Sequence, residues 1–256
     1  MPPDGVQGQR PCPPEVSSLI SKALLLCAGL GTRLRPLTDT LPKPMVPLAG
    51  RPLLEHLVAL CARHGVRDVA INLHHLPHVV MDHFGDGRRF GVDILYGLES
   101  ELLGTAGAVN NFRDYFAEPF FVLYGDVYMD VDLGAFAAVH EAKGGAATVG
   151  LYRVDNPTQC GLVDMDGEGR VTRFAEKPAV AFTDLANAGM YALSPTVLDY
   201  IPETGFCDFG LDVFPAMLAA GEALYGHELD GYVMDIGSPQ KYETAQKRLE
   251  RGGRGA

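Results

Sequence analysis

A short apolar segment, Ala23-Leu24-Leu25-Leu26, runs directly into Cys27-Ala28-Gly29-Leu30-Gly31-Thr32-Arg33-Leu34-Arg35-Pro36, and Pro42-Lys43-Pro44 follows. The apolar residues read as a buried strand, because a brief uninterrupted apolar run bounded by glycine suits a strand covered on both faces. Gly29 and Gly31 let the backbone approach a ligand closely and turn its N–H groups inward, as an anion requires. Arg33 and Arg35 add fixed positive charge, and Lys43 adds a mobile one. Together these residues constrain the chain to a fold that presents a strand end, a glycine turn and cations to a polyphosphate. A strand-to-loop turn without a ligand would explain the glycines taken alone.

The loop is neither of two common phosphate loops. A P-loop ends in Gly-Lys-Ser/Thr, whereas Gly31 is followed by Thr32-Arg33. A dinucleotide fingerprint needs a third glycine where Leu34 stands. The net charge of −11 argues against a nucleic acid or an anionic membrane as partner. In so acidic a chain the cationic cluster stands out, the alternative being a solvated basic patch. The five cysteines are widely spaced with no Cys-x-x-Cys, so neither a disulfide framework nor a zinc site is expected and a cytoplasmic setting fits. No apolar run reaches transmembrane length. Residues 1–21, rich in proline, read as a flexible extension without a signal peptide, and residues 251–256 as a disordered tail.

From residue 22 to 150, apolar runs alternate with helical patterns. Helices are expected over 52–64, 78–84, 105–113 and 132–142, and strands over 68–73, 92–96, 119–124 and 146–152. Such alternation implies an α/β fold, with a Rossmann-like, mainly parallel or mixed sheet covered by helices and ligands at the carboxyl ends of its strands. Beyond residue 150 the pattern becomes β-rich. A hairpin is expected across Asp166-Gly167-Glu168-Gly169, then a strand over 187–193, a helix over 208–220, two short strands within 222–235, and a closing helix over 238–250. The expected organisation is a single domain over 22–250, with a part over 22–150 and a smaller lobe over 151–250. There is no hexapeptide repeat, and no left-handed β-helix is expected.

Asp126 follows Gly125 at the end of the apolar strand, and Asp235 precedes Ile236-Gly237-Ser238-Pro239 at a second strand-to-helix junction. A carboxylate at a buried strand end needs solvent, a partner or a metal, and two carboxylates suffice for Mg²⁺. A turn start at Asp126 and a helix cap at Asp235 are the alternatives. Glu99 precedes Leu103-Gly104-Thr105-Ala106-Gly107, whose small residues would admit a flat base or simply punctuate a loop. His74 and His78 stand at helical spacing, but Pro77 between them disfavours a metal site. No Ser-His-Asp order or reactive cysteine setting is present, which disfavours covalent catalysis.

The Gly-x-Gly-Thr-Arg-x-x-Pro run with its Pro-Lys-Pro resembles the signature of the sugar-phosphate nucleotidyltransferases. Gly125-Asp126, Asp235-Ile236-Gly237, Glu176-Lys177-Pro178 and Asn187-Ala188-Gly189 match further motifs in the same order, so the resemblance covers residues 22 to about 248. It departs at Cys27, where the family usually has alanine, and at Val233, where it usually has tryptophan. The Leu-Gly-Thr-Ala-Gly form looks most like the mannose-1-phosphate guanylyltransferases and related heptose enzymes.

The resemblance implies that an NTP and a sugar 1-phosphate give an NDP-sugar and pyrophosphate. GTP with mannose or heptose 1-phosphate is the first expectation. UTP with glucose or amino-sugar 1-phosphate, or a catalytically silent regulatory homologue, are the alternatives. It further implies that Ala28, Gly29, Gly31, Thr32, Arg33, Glu99, Gly104 and Thr105 bind nucleotide. Gly161, Glu176, Lys177 and Asn187 would bind the sugar phosphate, with Asp208 and Asp212 lining the sugar side. Asp126 and Asp235 would hold Mg²⁺, and Arg33, Lys43, Asp126 and Lys177 would be catalytic. A homodimer through the sheet-and-helix body remains open.

Overall fold

The computed structural model describes residues 20–252. The extension expected over 1–21, apart from Ile20 and Ser21, lies outside the described residues, as do residues 253–256 of the expected tail. The opening apolar run becomes β1 (Lys22–Leu26), with Ala23, Leu24 and Leu25 fully buried. A small hairpin of β2 (Pro47–Leu48) and β3 (Arg51–Pro52) leads into α1 (Leu53–Arg63), β4 (Asp68–Leu73), α2 (Pro77–Phe84) and β5 (Asp93–Leu98). The single turn α3 (Gly104–Gly107), β6 (Phe120–Tyr124), β7 (Val127–Val131) and α4 (Leu133–Lys143) complete the first half.

β1 lies between β4 and β6, parallel to both, and β5 extends the row beyond β4. The strand period of two divides the apolar residues between two cores. Leu25, Ile71 and Leu123 join the core that holds Leu57 and Cys61 of α1. Leu24, Ala70 and Val122 face the opposite core around Phe116, Tyr191 and Phe214.

Three details differ from expectation. The second helix begins at Pro77, which takes the first helical position, where its missing N–H removes no bond. The helix expected over 105–113 is instead α3 followed by tighter turns, because Phe112 leaves helical geometry (φ −137°) and packs on Gly97 of β5. β7 follows Gly125-Asp126 directly, where sequence patterning suggested no strand.

The second half comprises β8 (Ala147–Arg153), β9 (Gly161–Met165), β10 (Val171–Glu176), β11 (Leu185–Leu193), α5 (Phe214–Ala219), β12 (Leu224–Glu228), β13 (Gly231–Asp235) and α6 (Pro239–Gly252). β11 runs antiparallel to β6 and joins both halves into one nine-stranded mixed sheet, with helices flanking it. The hairpin turns as expected, with Asp166 Oδ1 accepting from the N–H groups of Glu168 and Arg170, both at 2.9 Å. The two strands expected within 222–235 form but do not pair with each other. β12 runs parallel to β8, and β13 returns to pair antiparallel with β7. The helix expected over 208–220 opens with a wider turn over Phe209–Val213, capped by Asp208 Oδ1 on Gly210 N (2.9 Å) and Leu211 N (3.1 Å).

α6 reaches back beneath the first loop. Ala245 packs with Leu34 and Leu48, Tyr242 Oη donates to the Pro47 carbonyl at 2.7 Å, and Gln246 Oε1 accepts from Ala49 N at 2.9 Å. Among the described residues there is no solenoid, and no helix is long and apolar enough to cross a membrane.

Candidate active site

The glycine loop leaves the end of β1 and is locked from below. Gly31 adopts φ 64°, a left-handed conformation that suits glycine, and a Cβ there would lie 2.9 Å from Lys43 Cβ. Thr38 Oγ1 donates to the Gly31 carbonyl at 2.8 Å from a buried position. Arg33 follows in the short turn Thr32–Leu34 and is exposed. Arg35, counted with the cations of the loop, instead pairs with Asp39 at 3.4 Å on the open surface. Cys27 fills the strand end beneath the loop. Burial, reinforced by the Asp126 charge, pushes its thiol well above the ordinary range, so it acts as a small apolar filler.

Asp126 leaves β6 through Gly125, whose hydrogen faces Cys27 so closely that a Cβ would stand 2.5 Å from Sγ. Its Oδ2 accepts from Lys43 Nζ at 2.6 Å, with Lys43 buried and the carboxylate about a third exposed at 35%. The β7–β13 ladder carries Asp235 to the same corner: Asp235 stands opposite Val127, and Ile236 N donates to the Asp126 carbonyl at 2.9 Å. Asp235 Oδ2 accepts from Lys241 Nζ at 2.8 Å. Gly237 leaves room for that carboxylate, since a Cβ there would lie 2.7 Å from Oδ2. Val233, at the tryptophan position of the resembled motif, stands opposite Met129 and packs on the core.

Both aspartates line one cavity, and no cluster of three or more His, Cys, Asp or Glu suited to a metal occurs among the described residues. Two carboxylates facing one polar cavity fit Mg²⁺, which takes one or two protein oxygens and completes its shell with water and phosphate. They do not make a cage for a cation alone.

Glu99 is buried, and both its oxygens already hold protein donors: Asn72 Nδ2 at 2.7 Å and Leu103 N at 3.1 Å. Asn72 Oδ1 in turn accepts from Cys27 N at 2.8 Å, so one buried relay ties β1, β4 and the Leu103–Gly107 segment together. Gly104 has φ 79°, and a Cβ would come within 2.4 Å of the Cys207 carbonyl. Thr105 Oγ1 donates to Asp208 Oδ2 at 2.8 Å and accepts from Phe209 N at 2.9 Å. The small residues at this corner therefore serve close backbone packing, beyond any contact with a ligand.

On the other side, Glu176 ends β10 and Lys177 follows it. Lys177 takes φ 45°, rare for a side-chain-bearing residue and of the kind that clusters at functional sites. Its Nζ lies 3.1 Å from Glu176 Oε1 and remains largely exposed. A Cβ on Gly161 would meet Glu176 Oε2 at 2.5 Å, so Gly161 makes room for the carboxylate. Asn187 Nδ2 donates to Tyr191 Oη (2.7 Å), which donates to Tyr124 Oη (3.0 Å). Burial raises the Tyr124 and Tyr191 hydroxyls well above the usual phenol range, so both stay protonated.

These residues enclose three contiguous cavities. One, of about 330 Å³, is lined mainly by apolar groups together with Ala28, Glu99, Gly104 and Thr105. A second, of about 300 Å³, lies along Gly29–Leu34. A third, of about 270 Å³, holds Gly161, Glu176, Lys177, Asn187 and Asp235. Asp126 borders all three, Lys43 the first two, and Arg33 the last two. Among the described residues His74 and His78 belong to no metal cluster, and His74 Nδ1 bonds the Glu99 backbone at 2.9 Å.

Sequence reasoning missed Asn72, Thr38, Tyr124, Leu102 and Phe206. Asn72 left a signal, a polar residue inside an apolar strand; the others left none in local pattern.

The family profile described as nucleotidyl transferase matches residues 22–252. The UTP–glucose-1-phosphate uridylyltransferase of Synechocystis sp. is 37% identical over 240 residues, spanning 88% of this chain and 62% of its own length. The mannose-1-phosphate guanylyltransferase of Mycobacterium tuberculosis is 38% identical over 232 residues, spanning 90% of this chain and 65% of its own length. HddC from Yersinia pseudotuberculosis, solved in complex with GMP-PN, superposes with a TM-score of 0.76 at 27% identity, covering 90% of this chain and 100% of that one. This chain spans less than two thirds of the length of these curated relatives. Because the match runs from the first strand to the last helix, and the relatives exceed a third identity across nearly nine tenths of the chain, the chain belongs to the nucleotidyl transferase family.

Proposed function

We propose that the chain transfers a nucleoside monophosphate from an NTP to a sugar 1-phosphate and releases pyrophosphate. The observation that carries this reading is the meeting of three cavities at Asp126. The first suits a nucleoside, the glycine-lined second the departing phosphates, and the third a sugar phosphate. In this reading residues 22–150 serve chiefly the nucleotide and residues 151–250 chiefly the sugar phosphate, with Phe206 and Asp208 of the second part also bordering the first cavity.

A phosphate oxygen of the sugar 1-phosphate attacks the α-phosphorus of the NTP. As that P–O bond forms, the bond from the α-phosphorus to the bridging oxygen breaks, and its electron pair leaves with pyrophosphate. The nucleophile is already an anion, so no general base is needed. Alignment and charge neutralisation supply the rate. Lys177 holds the incoming phosphate, Lys43 bridges phosphates beside Asp126, and Arg33 stabilises the departing pyrophosphate. Glu176 and Asn187 accept and donate bonds to sugar hydroxyls. Mg²⁺, when held by Asp126 and Asp235, neutralises charge on the phosphate oxygens.

GTP with mannose or heptose 1-phosphate is our first assignment. It is supported by the Leu103–Gly107 segment, the mycobacterial relative's guanylyl chemistry and the GMP-PN bound by the Yersinia protein. UTP with glucose 1-phosphate is the second reading, favoured by the Synechocystis relative. Cys27, Cys61, Cys160 and Cys207 are all free, which supports placing the reaction in the cytoplasm.

The test is pyrophosphate release with Mg²⁺, crossing GTP, UTP, dTTP, ATP and CTP with mannose, glucose, N-acetylglucosamine and heptose 1-phosphates. Release with one pair, lost in Asp126→Ala, is the expected result. Silence across the grid, with an NDP-sugar still bound, would contradict the catalytic reading and favour a regulatory homologue.

A further inference from the structure

Phe206 is 65% exposed, yet the backbone presenting it is pinned. Next to it, Cys207 N donates to the Leu103 carbonyl at 2.9 Å, and the Cys207 carbonyl accepts from Ala106 N (2.9 Å) and Gly107 N (3.0 Å). On its other side Gly205 turns the chain at φ 90°. The ring edge lies over Gly104, where a Cβ would stand 3.1 Å from Cε2. Leu102, 40% exposed, borders the same 330 Å³ cavity. A single exposed apolar side chain is ordinary, but an exposed aromatic ring and an exposed leucine that line one cavity give it apolar surface that a ligand can cover.

The position of the cavity identifies the occupant. It shares Gly29, Lys43, Leu102 and Asp126 with the glycine-loop cavity, whereas Phe206 borders only the former, so a molecule whose phosphates lie along the loop extends its remaining part past Leu102 toward Phe206. Sugar hydroxyls would meet no polar partner on the Phe206 and Leu102 side chains, whereas a nucleobase offers a flat π-face to them. The other aromatic ring on this cavity, Tyr124, has its hydroxyl bonded to Tyr191 and its ring against Gly189. We infer that Phe206 is the stacking platform for the nucleobase and favours a purine over a pyrimidine. The inference rests on the nucleotidyl-transfer reading above and adds to it a residue that selects the base. A purine covers more of the ring, so GTP gains more than UTP.

The chain contains no tryptophan, so Phe206→Trp installs a single fluorescent reporter. GTP is expected to quench its emission, and UTP to quench it less at equal saturation. In calorimetry Phe206→Ala is expected to weaken GTP binding about 10-fold or more, with a smaller loss for UTP and unchanged affinity for inorganic pyrophosphate. GTP binding to Phe206→Ala at wild-type affinity would overturn the inference, as would tryptophan emission unmoved by saturating GTP. Equal losses for GTP and pyrophosphate would also overturn it, because they would mark a distorted loop. Wild-type protein that binds pyrophosphate but neither GTP nor UTP would overturn the nucleotidyl-transfer reading as well.

Discussion

The glycine-loop side of the site is built on parallel strands, and the Glu176–Lys177 side on antiparallel ones. β1, β4 and β6 end together, so the loop, Asn72 and Asp126 meet because parallel register brings their carboxyl ends level. The rest of the site depends on distant pairings. β13 crosses to β7 to deliver Asp235, and the segment around Cys207 is bonded to Leu103–Gly107 to position Thr105, Phe206 and Asp208. The first arrangement follows from local strand geometry, whereas the second exists only in the folded chain. Substitutions at open loop-side positions such as Gly29 and Arg33 should therefore alter chemistry with little loss of stability, and those at positions clamped by the distant pairings should cost stability first.

Arg33→Ala tests the loop side with the largest expected effect. Arg33 is exposed and borders two of the cavities, so kcat should fall about 10²–10³-fold with the urea midpoint unchanged. Turnover within a few-fold of wild type would remove Arg33 from the machinery.

Next in size is a pair of glycines. Gly104→Ala forces a Cβ to 2.4 Å from the Cys207 carbonyl at φ 79°, and should destabilise the fold by about 2–4 kcal/mol. Gly29→Ala has nothing within 4 Å, so its stability should move by less than about 0.5 kcal/mol while its KM for nucleotide rises. Urea titrations that gave the two variants equal losses would break the contrast between the two sides.

A smaller loss is expected from Thr105→Val, about 1–3 kcal/mol, because Phe209 N–H and Asp208 Oδ2 each lose a partner across the clamp. A urea midpoint equal to that of wild type would show that the clamp does not depend on this hydroxyl.

The smallest effect concerns pH. His140 is buried between Thr148 and Ser194, and burial lowers its pKa from 6.5. The folded state thus binds the proton less readily than the unfolded state. Its contribution is fully present above about pH 6.5 and is lost as the pH falls toward the depressed folded value. Urea midpoints should decline over that range, and His140→Gln should flatten part of the decline. An unchanged slope would assign the acid sensitivity to other groups.

Much of the loop side was legible in the sequence. The strand, the glycines, Lys43 and the Gly125-Asp126 junction all lie within short segments whose local pattern carries physical meaning. Local pattern marks Asp235 only as a residue at a junction, and it is the resemblance to the family that pairs it with Asp126. Val127–Val131 gives no sign of pairing with a strand about a hundred residues onward. Phe112 looked helical because its commitment to Gly97 depends on a contact between elements. Glu99 reads as a nucleotide contact from its segment, and the fold adds that its oxygens brace Asn72 and Leu103. Phe206 had no periodic partner, since what distinguishes it is exposure on a pinned segment.

In the proposed reaction, nucleotide and sugar phosphate meet at a single junction beside Asp126. The most direct measurement follows the label from α-³²P GTP, with and without mannose 1-phosphate, in wild type and Asp126→Asn. Label should appear in the sugar nucleotide only when the sugar phosphate is present. Transfer should fall about 10²-fold or more in Asp126→Asn, with GTP binding retained by calorimetry. Label transfer in Asp126→Asn within a few-fold of wild type would contradict a reaction at this junction.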